Sequence, residues 1–489
     1  MLHDTTEQFG AVKNYVDGEW VAPGADGQDV VNPATGDALG YVGFSTDEDV
    51  DAAVEAGMAA FEDWRETPVE ARIQPLFELK RLLEDHLDEL TEILVREHGK
   101  TMGEARGELR RGIENVEVAC GIPTLMQAGH VQHAAPDIDE TAVREPLGVF
   151  AAVTPFNFPG MIPLWFLPYA VATGNSFILK PSERDPLVTQ RLFELIEEAG
   201  FPDGVVQLVN GSVDTVDALL EHPDVAGISF VGSTPVAKHV YEKAAAHGKR
   251  VQAQGGAKNH VVVSATADLE FAAEKTVSSA LACSGERCLA NDVVLVEEAV
   301  YEEFVDLLAA ETERQVVGDG LDPETTVGPL ITPEHEERVR EFIETGLEEG
   351  AELVVDGRDV GRDSEGNFLG PCLFRDVSPE MTICREEIFG PVLGAMAVEN
   401  VAEGIEVMNR SDFGNAASLF TESGSEARQF RHRAEAGNLA VNAGTAAPMA
   451  FFHFGGQKDS FFGDLHAQAE DVVRFYTDET VYIERWPNA

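Results

Sequence analysis

The chain of 489 residues has no apolar run of membrane-spanning length. Its richest stretch, 161–172, is short and interrupted by Pro163 and Pro168. Residues 1–10 hold His3, Asp4 and Glu7 and no apolar core, so they do not read as a secretory leader, and a cytoplasmic protein is expected. Basic residues are scarce: 35 Lys and Arg stand against 87 Asp and Glu, a formal net charge of −52. A surface so negative repels nucleic acid and anionic membrane, which excludes both as partners. The acids are spread along the chain rather than gathered in one tail. At molar salt the Debye length falls to about 3 Å and most of the self-repulsion is screened. The pattern therefore reads as halophilic, with an ordinary acidic protein as the alternative. The five cysteines, Cys120, Cys283, Cys288, Cys372 and Cys384, are odd in number and none stands in a Cys-x-x-Cys pair. A disulfide framework or a zinc site is not expected, so no metal is assigned. Repeats, low-complexity segments and linkers are absent.

What is present is an alternation of short apolar runs with helical patterns, the mark of an α/β fold with parallel strands. Thr46 reads as the cap of a helix with apolar positions Val50, Ala53, Val54 and Phe61. Strands are expected at 148–153 and 176–179, separated by a proline-broken segment over 154–168. A helix over 188–198 stops at Gly200-Phe201-Pro202, and strands follow at 205–209 and 228–231. This rhythm is that of a nucleotide-binding sheet. It restarts with strands at 260–263 and 293–296 and a helix near 301–315, which suggests a second α/β domain. The tail over 477–483 alternates β-branched and aromatic residues and reads as an exposed strand.

No G-x-G-x-x-G follows the first strand, so the usual dinucleotide fingerprint is missing. In its place Phe230-Val231-Gly232-Ser233-Thr234-Pro235 runs from a strand end into a helix start. There Gly232 allows close backbone approach, and Ser233 with the helix N-terminus can hold a phosphate. Alone this is a weak signal. A second element supports it: Lys180 and Glu183 lie at the carboxyl end of a strand, the edge where open α/β sheets bind ligands. Glu183 suits a ribose hydroxyl and repels a 2′-phosphate, favouring NAD over NADP. The run Cys283-Ser284-Gly285-Glu286-Arg287-Cys288 places two thiols in a glycine-containing turn. A thiolate attacks carbonyls and leaves a reactive thioester, and Arg287 is expected to lower the pKa of Cys288. From these residues alone, either cysteine could equally be a packing residue. His453 and His466 read as packing or surface residues.

Five motifs in register resolve the ambiguity: Thr154-Pro155-Phe156-Asn157-Phe158-Pro159, the run 180–183, Gly232-Ser233-Thr234, Gly285-x-Arg287-Cys288, and Glu386-Glu387-Ile388-Phe389-Gly390-Pro391. In order and spacing, over nearly the whole chain, the sequence resembles the aldehyde dehydrogenase superfamily. That resemblance implies a Rossmann-type NAD-binding domain, a second α/β catalytic domain and a β oligomerisation arm. The implied boundaries are 1–122 and 142–258 for NAD binding, 259–440 for catalysis, and 123–141 with 470–489 for the arm. It further implies Cys288 as nucleophile and Asn157 as oxyanion donor. Lys180 and Glu387 would hold the riboses, Phe389 would pack on the nicotinamide end, and Thr154 and Phe156 would border the cofactor. Within the superfamily the chain most resembles the CoA-acylating methylmalonate-semialdehyde dehydrogenases. This closer likeness rests on Arg110-Arg111-Gly112-Ile113-Glu114-Asn115-Val116-Glu117, on 252–260, on Gly285-Glu286-Arg287-Cys288 and on 460–466. It implies that Arg111 and Arg287 bind the substrate carboxylate, as a guanidinium fork can. The alternative is a structural ion pair for either arginine.

Hydrolytic relatives carry a glutamate where this chain reads Ala253-Gln254-Gly255-Gly256. Water attacking a thioester needs a general base, an assistance worth about 10²–10⁴-fold, whereas the thiol of coenzyme A exchanges without one. The expected reaction is oxidation of malonate or methylmalonate semialdehyde by NAD through a Cys288 thioester, with decarboxylation and transfer to coenzyme A. Glu387 or a carboxylate distant in sequence could instead serve as base, giving a hydrolytic enzyme; a non-catalytic protein on the same fold is a further alternative. The segment Asn442-Ala443-Gly444-Thr445-Ala446-Ala447-Pro448 departs from the family's pattern beside the substrate and leaves a different short-chain aldehyde open. A homodimer or homotetramer that exchanges the strand 477–482 is expected. For stability, raising salt from about 0.1 M to molar concentration should raise Tm in a thermal melt; a Tm indifferent to salt would remove the halophilic reading.

Overall fold

A computed structural model describes residues 9–24, 26–362 and 364–486. The expectation of a leader-free N-terminus rests on residues 1–10, of which the first eight lie outside the described residues, as do the last three positions of the expected arm. Strands Val149–Val153, Ser176–Lys180 and Asn259–Val263 are buried at every position. Continuous apolar runs of this kind belong in parallel sheets covered on both faces. Two such sheets form.

In the first sheet the strand order is Phe461–Gly463, Arg250–Gln254, Val225–Val231, Val149–Val153, Ser176–Lys180, Val206–Leu208, Asn14–Val16, Glu19–Val21. The five central strands are parallel, and the flanking strands join them antiparallel. After Val149–Val153 the chain goes first to one side and later to the other. This reversal opens a crevice at the carboxyl ends, where open α/β sheets take ligands. The second sheet runs Glu352–Val355, Cys372–Arg375, Val392–Val398, Asn291–Glu297, Asn259–Val263, Ala416–Phe420, Asn438–Val441. Residues 255–258 carry the chain from the carboxyl end of Arg250–Gln254 straight to the amino end of Asn259–Val263. The carboxyl edge of one sheet therefore meets the amino edge of the other.

Thr46 caps helix Asp47–Trp64 in a reciprocal box with Asp49, and Val50, Ala53, Val54 and Phe61 are buried as the periodicity requires. Helix Leu187–Ala199 ends on Gly200 with φ 82°. One element differs from expectation. The proline-broken segment over 154–168 contributes to a helix, Pro163–Ala172, with Pro163 in its first turn and Pro168 inside. A first-turn proline loses no helical hydrogen bond. The interior one is tolerated because every residue of this helix is buried, so packing outweighs the missing donor.

Thr477–Arg485 pairs antiparallel with Ile138–Pro146, which pairs with His130–Ala135. Beyond Thr477 every position of the first of these strands is exposed, Val481 and Ile483 included. The result is a β-sheet arm standing off the body. No helix among the described residues is long and apolar enough to cross a membrane.

Candidate active site

Helix Leu269–Leu281, capped by Asp268, runs into the turn that carries both thiols. Cys283, Ser284 and Gly285 have φ of 51°, 56° and 78°, a left-handed run that L-residues avoid. Several contacts hold it. The Cys283 N–H donates to Glu104 Oε1 at 2.7 Å, and Ser284 Oγ donates to the Gly328 carbonyl at 2.9 Å. A Cβ on Gly285 would sit 2.1 Å from the Gly390 carbonyl oxygen, so only glycine fits there. Cys288 follows, partly exposed, beside a cavity of about 390 Å³ that Cys283, Arg287, Arg111, Trp165 and Phe454 also line. The acidity expected of Cys288 is corrected by the structure. Burial pushes its thiol up to about 12, and Glu387 adds to this, while Arg287 only partly opposes it. Burial takes Cys283 to about 12 as well. Acidity thus does not distinguish the two thiols; access does, since Cys283 is buried.

Helix Met102–Ala119 starts at Thr101 in a reciprocal box with Glu104. Its residues Glu104, Glu108, Arg111 and Asn115 all line the cavity, at the four-and-three spacing that keeps side chains on one helical face. Arg111 donates to Glu114 at 2.6 Å and to the Pro448 carbonyl at 3.1 Å. The Arg287 guanidinium has no hydrogen bond or ion pair among the described residues. The structural ion pair is therefore real for Arg111 and absent for Arg287. Ala447 and Pro448, from the segment that departs from the family's pattern, form part of the same wall. His453 and His466 stack on each other with centroids 5.1 Å apart.

Asn157 is buried and its Oδ1 has no partner. It is not among the residues lining the cavity, although Phe158 and Met161 are. Its backbone carbonyl accepts from Lys100 Nζ at 2.7 Å, and the same ammonium donates to Glu108 at 2.5 Å. Glu108 in turn accepts from the Gly160 and Met161 N–H groups. Burial alone would pull the Lys100 ammonium down; Glu108 more than offsets this and holds it above the usual lysine range. This buried pair ties the 157–161 loop to the helix, and sequence reasoning missed it. The Thr101–Glu104 capping signal and the spacing of Glu104, Glu108 and Arg111 could have revealed it.

At the crevice, the Thr154 N–H donates to the Lys180 carbonyl and the Gly232 N–H to that of Gln254, so the strand ends stay level. Ser233 N-caps helix Thr234–Ala246 without using its own side chain, leaving the hydroxyl free for a ligand. Lys180 Nζ donates to Glu183 at 3.0 Å. Burial pushes the Glu183 carboxyl up, but Lys180 outweighs it and holds the group below the usual carboxylate range. From the second sheet, Glu387 accepts the Ala257 N–H at 2.9 Å. The Phe389 ring meets Phe156 edge-on with centroids 5.9 Å apart. Phe389 has φ 60°, and its carbonyl is paired with His335 Nε2 at 2.7 Å. A dinucleotide suits this crevice: Thr154 Oγ1 is buried without a partner, and a Cβ on Gly256 would lie 2.5 Å from Glu387 Oε2.

The model of the aldehyde dehydrogenase family matches residues 20–481. The chain belongs to that family. It is 48% identical to a malonate-semialdehyde dehydrogenase of Bacillus cereus, over 98% of this chain and 99% of the relative. A structure from Oceanimonas doudoroffii, a methylmalonate-semialdehyde dehydrogenase, superposes with TM-score 0.97 at 42% identity, covering 98% of this chain and 99% of that one. A structure from Sinorhizobium meliloti, assigned as a methylmalonate-semialdehyde dehydrogenase and complexed with NAD, does so with TM-score 0.96 at 42% identity, covering 99% of both.

In this aldehyde dehydrogenase Ala253 is fully buried, opposite Phe230 and Phe462 on the neighbouring strands. Each carboxylate lining the cavity already has donors: Glu104 from Cys283 and Thr101, Glu108 from Lys100, Glu114 from Arg111. Burial, with Asp292 adding to it, pushes the Glu387 carboxyl up to about 7. Lys100→Met should destabilise the fold by about 3–5 kcal/mol, read as a lower urea midpoint; an unchanged midpoint would show that Lys100 and Glu108 are not a charged pair.

Proposed function

We propose that this enzyme oxidises malonate or methylmalonate semialdehyde with NAD, holds the acyl group on Cys288 as a thioester, and passes it to coenzyme A. The observation that carries the reading is one cavity holding Cys288 with two guanidinium groups, of which Arg287 has no partner among the described residues. A carboxylate-bearing aldehyde matches such a pair. The similarity to the Bacillus cereus and Oceanimonas doudoroffii enzymes supports the same substrates.

Cys288 Sγ adds to the aldehyde carbon once its proton has left, and the carbonyl oxygen takes up the electron pair. Asn157 and the Cys288 N–H donate to that oxygen, each such donor being worth about 10²–10³ in rate. Arg111 and Arg287 hold the distal carboxylate, which orients the carbonyl towards sulfur. Bound NAD supplies the hydride acceptor, with Lys180, Glu183 and Glu387 on its riboses, Gly232 and Ser233 at its phosphates, and Phe389, Phe156 and Thr154 beside it. The resulting thioester has a β-carboxylate whose loss as carbon dioxide, with a proton taken up from solvent at the α-carbon, leaves acetyl or propionyl on sulfur. The thiol of coenzyme A displaces Cys288, because the buried methyl of Ala253 provides no base for water.

In this reading residues 1–122 and 147–258 form the NAD-binding domain and 259–440 the catalytic domain, while the arm takes 123–146 and 477–489, because strand Ile138–Pro146 runs past the expected boundary at 141 and the helix before Thr477 packs in the body. The uncovered arm sheet supports a homodimer or homotetramer, since an exposed strand edge invites a second copy. We place the enzyme in the cytoplasm. One observation favours a hydrolytic reading instead: Glu387, with a carboxyl near 7 and a charge felt by Cys288, has the properties of a general base.

An assay in molar salt with malonate semialdehyde and NAD, with and without coenzyme A, separates the two readings. Acyl-CoA in step with NADH is expected, whereas free acid formed equally fast without coenzyme A would establish hydrolysis. Ala253→Glu should raise the hydrolytic share of product by about tenfold or more, unless Glu387 already supplies the base. The Glu387 carboxyl accepts hydrogen bonds from ribose hydroxyls more strongly when ionised. NAD affinity should therefore rise as pH passes upward through about 7, as measured by fluorescence titration; a pH-independent Kd between 6 and 8, roughly one unit either side, would remove Glu387 from ribose binding.

A further inference from the structure

Cys288 stands at the second position of a turn, Arg287 to Ala290, closed by the Ala290 N–H on the Arg287 carbonyl at 2.9 Å. The peptide between the two central residues of such a turn is its least constrained part: flipping it interconverts the common turn types while the ends stay in place. Here that peptide joins Cys288 to Leu289. Its carbonyl oxygen accepts two side-chain amides, Asn415 Nδ2 at 2.7 Å and Asn259 Nδ2 at 2.9 Å.

Both donors are set by the second sheet. Asn259 opens strand Asn259–Val263; its Nδ2 also reaches the Ala290 carbonyl at 2.7 Å, and its Oδ1 accepts the Ala416 N–H at 3.0 Å. Asn415 directly precedes strand Ala416–Phe420, and its backbone carbonyl accepts from Asn438. Both are buried. Asn259 is tied as well to Asp292, Ala290 and Ala416, whereas the Asn415 amide has the Cys288 carbonyl as its hydrogen-bond partner.

We propose that Asn415 and Asn259 are positioning residues that clamp the Cys288 carbonyl and so lock the peptide orientation that aims the nucleophile. The proposal rests on Cys288 being the nucleophile and is independent of the acyl acceptor. With both amides in place a flip would strand a buried carbonyl and two buried donors, so one orientation is retained. Without Asn415 the carbonyl keeps only the Asn259 amide, which it shares with the Ala290 carbonyl, so the turn is held less firmly and the sulfur is less strictly directed.

The test uses the full-length enzyme with Asn415→Leu, which keeps the branched shape without an amide, and Asn415→Asp, which turns a donor into an acceptor facing the carbonyl. Three readouts are compared with wild type: kcat, the pH profile of Cys288 alkylation by iodoacetamide mapped by mass, and KM for NAD. The clamp predicts kcat lower by about tenfold, the scale of one lost hydrogen bond, with Asn415→Asp more severe than Asn415→Leu. It also predicts a displaced alkylation profile and an unchanged KM for NAD. A wild-type alkylation profile in both variants would overturn it, as would an activity loss that only follows the folded fraction in circular dichroism. Cys288→Ser is assayed alongside: full activity there would defeat the assignment of the nucleophile itself, whatever the Asn415 variants do.

Discussion

The site depends on the short passage between the two sheets. Residues 255–258 are all that separates the carboxyl end of one parallel strand from the amino end of the next sheet's first strand. Because the link is so short, the edge that receives a dinucleotide must face the edge that carries the thiol. The link itself is hydrogen-bonded to both sides: the Gly256 N–H to Thr234, the Ala257 N–H to Glu387, the Asn259 N–H to Asp292. Gly255 could carry no side chain here, since a Cβ would lie 2.8 Å from the Asp459 carbonyl oxygen, and one on Gly256 would displace the Glu387 carboxylate. A longer or bulkier connection would let the two edges drift apart and uncouple the thiol from its oxidant.

Around that junction the protein uses burial where a looser site would use exposed charge. The chain is strongly acidic, yet the groups that brace the site are buried or half-buried: Lys100 on Glu108, Glu104 on the Cys283 N–H, Glu387 on the Ala257 N–H. A buried carboxylate must be well hydrogen-bonded to remain charged, and Glu108 accepts from Lys100 and from the Gly160 and Met161 N–H groups. It thereby becomes a fixed strut and loses the freedom to act as a base. The same desolvation raises the thiol of Cys288, so reactivity has to come from local alignment, and from whatever the bound partners change, more than from standing acidity.

Much of the fold was legible because its signals are local. The Thr46 cap, the Gly200 stop and the continuous apolar runs at 149–153 and 176–180 each act within a few residues, so periodicity and capping rules reach them. The helix over 163–172 was not legible, because Pro168 argues against it locally and only the helix's complete burial overrides it. At the site, Cys288, Arg111 and Arg287 could be named in advance, as could the crevice residues Thr154, Lys180, Gly232 and Ser233. The Lys100–Glu108 strut escaped notice, since its partners at 157, 160 and 161 are distant in sequence.

By itself, then, the sequence determined the class of fold, the two-sheet rhythm, the chemical type of the nucleophile and the loss of a carboxylate at position 253. Each follows from residue identity and short-range spacing. Tertiary structure alone decided which thiol stays partly exposed, which guanidinium is free of a partner, and how far burial outweighs a neighbouring guanidinium at sulfur. Those outcomes depend on dielectric surroundings and on contacts between residues tens to hundreds of positions apart, such as Asn415 against Cys288. Local pattern carries no record of them.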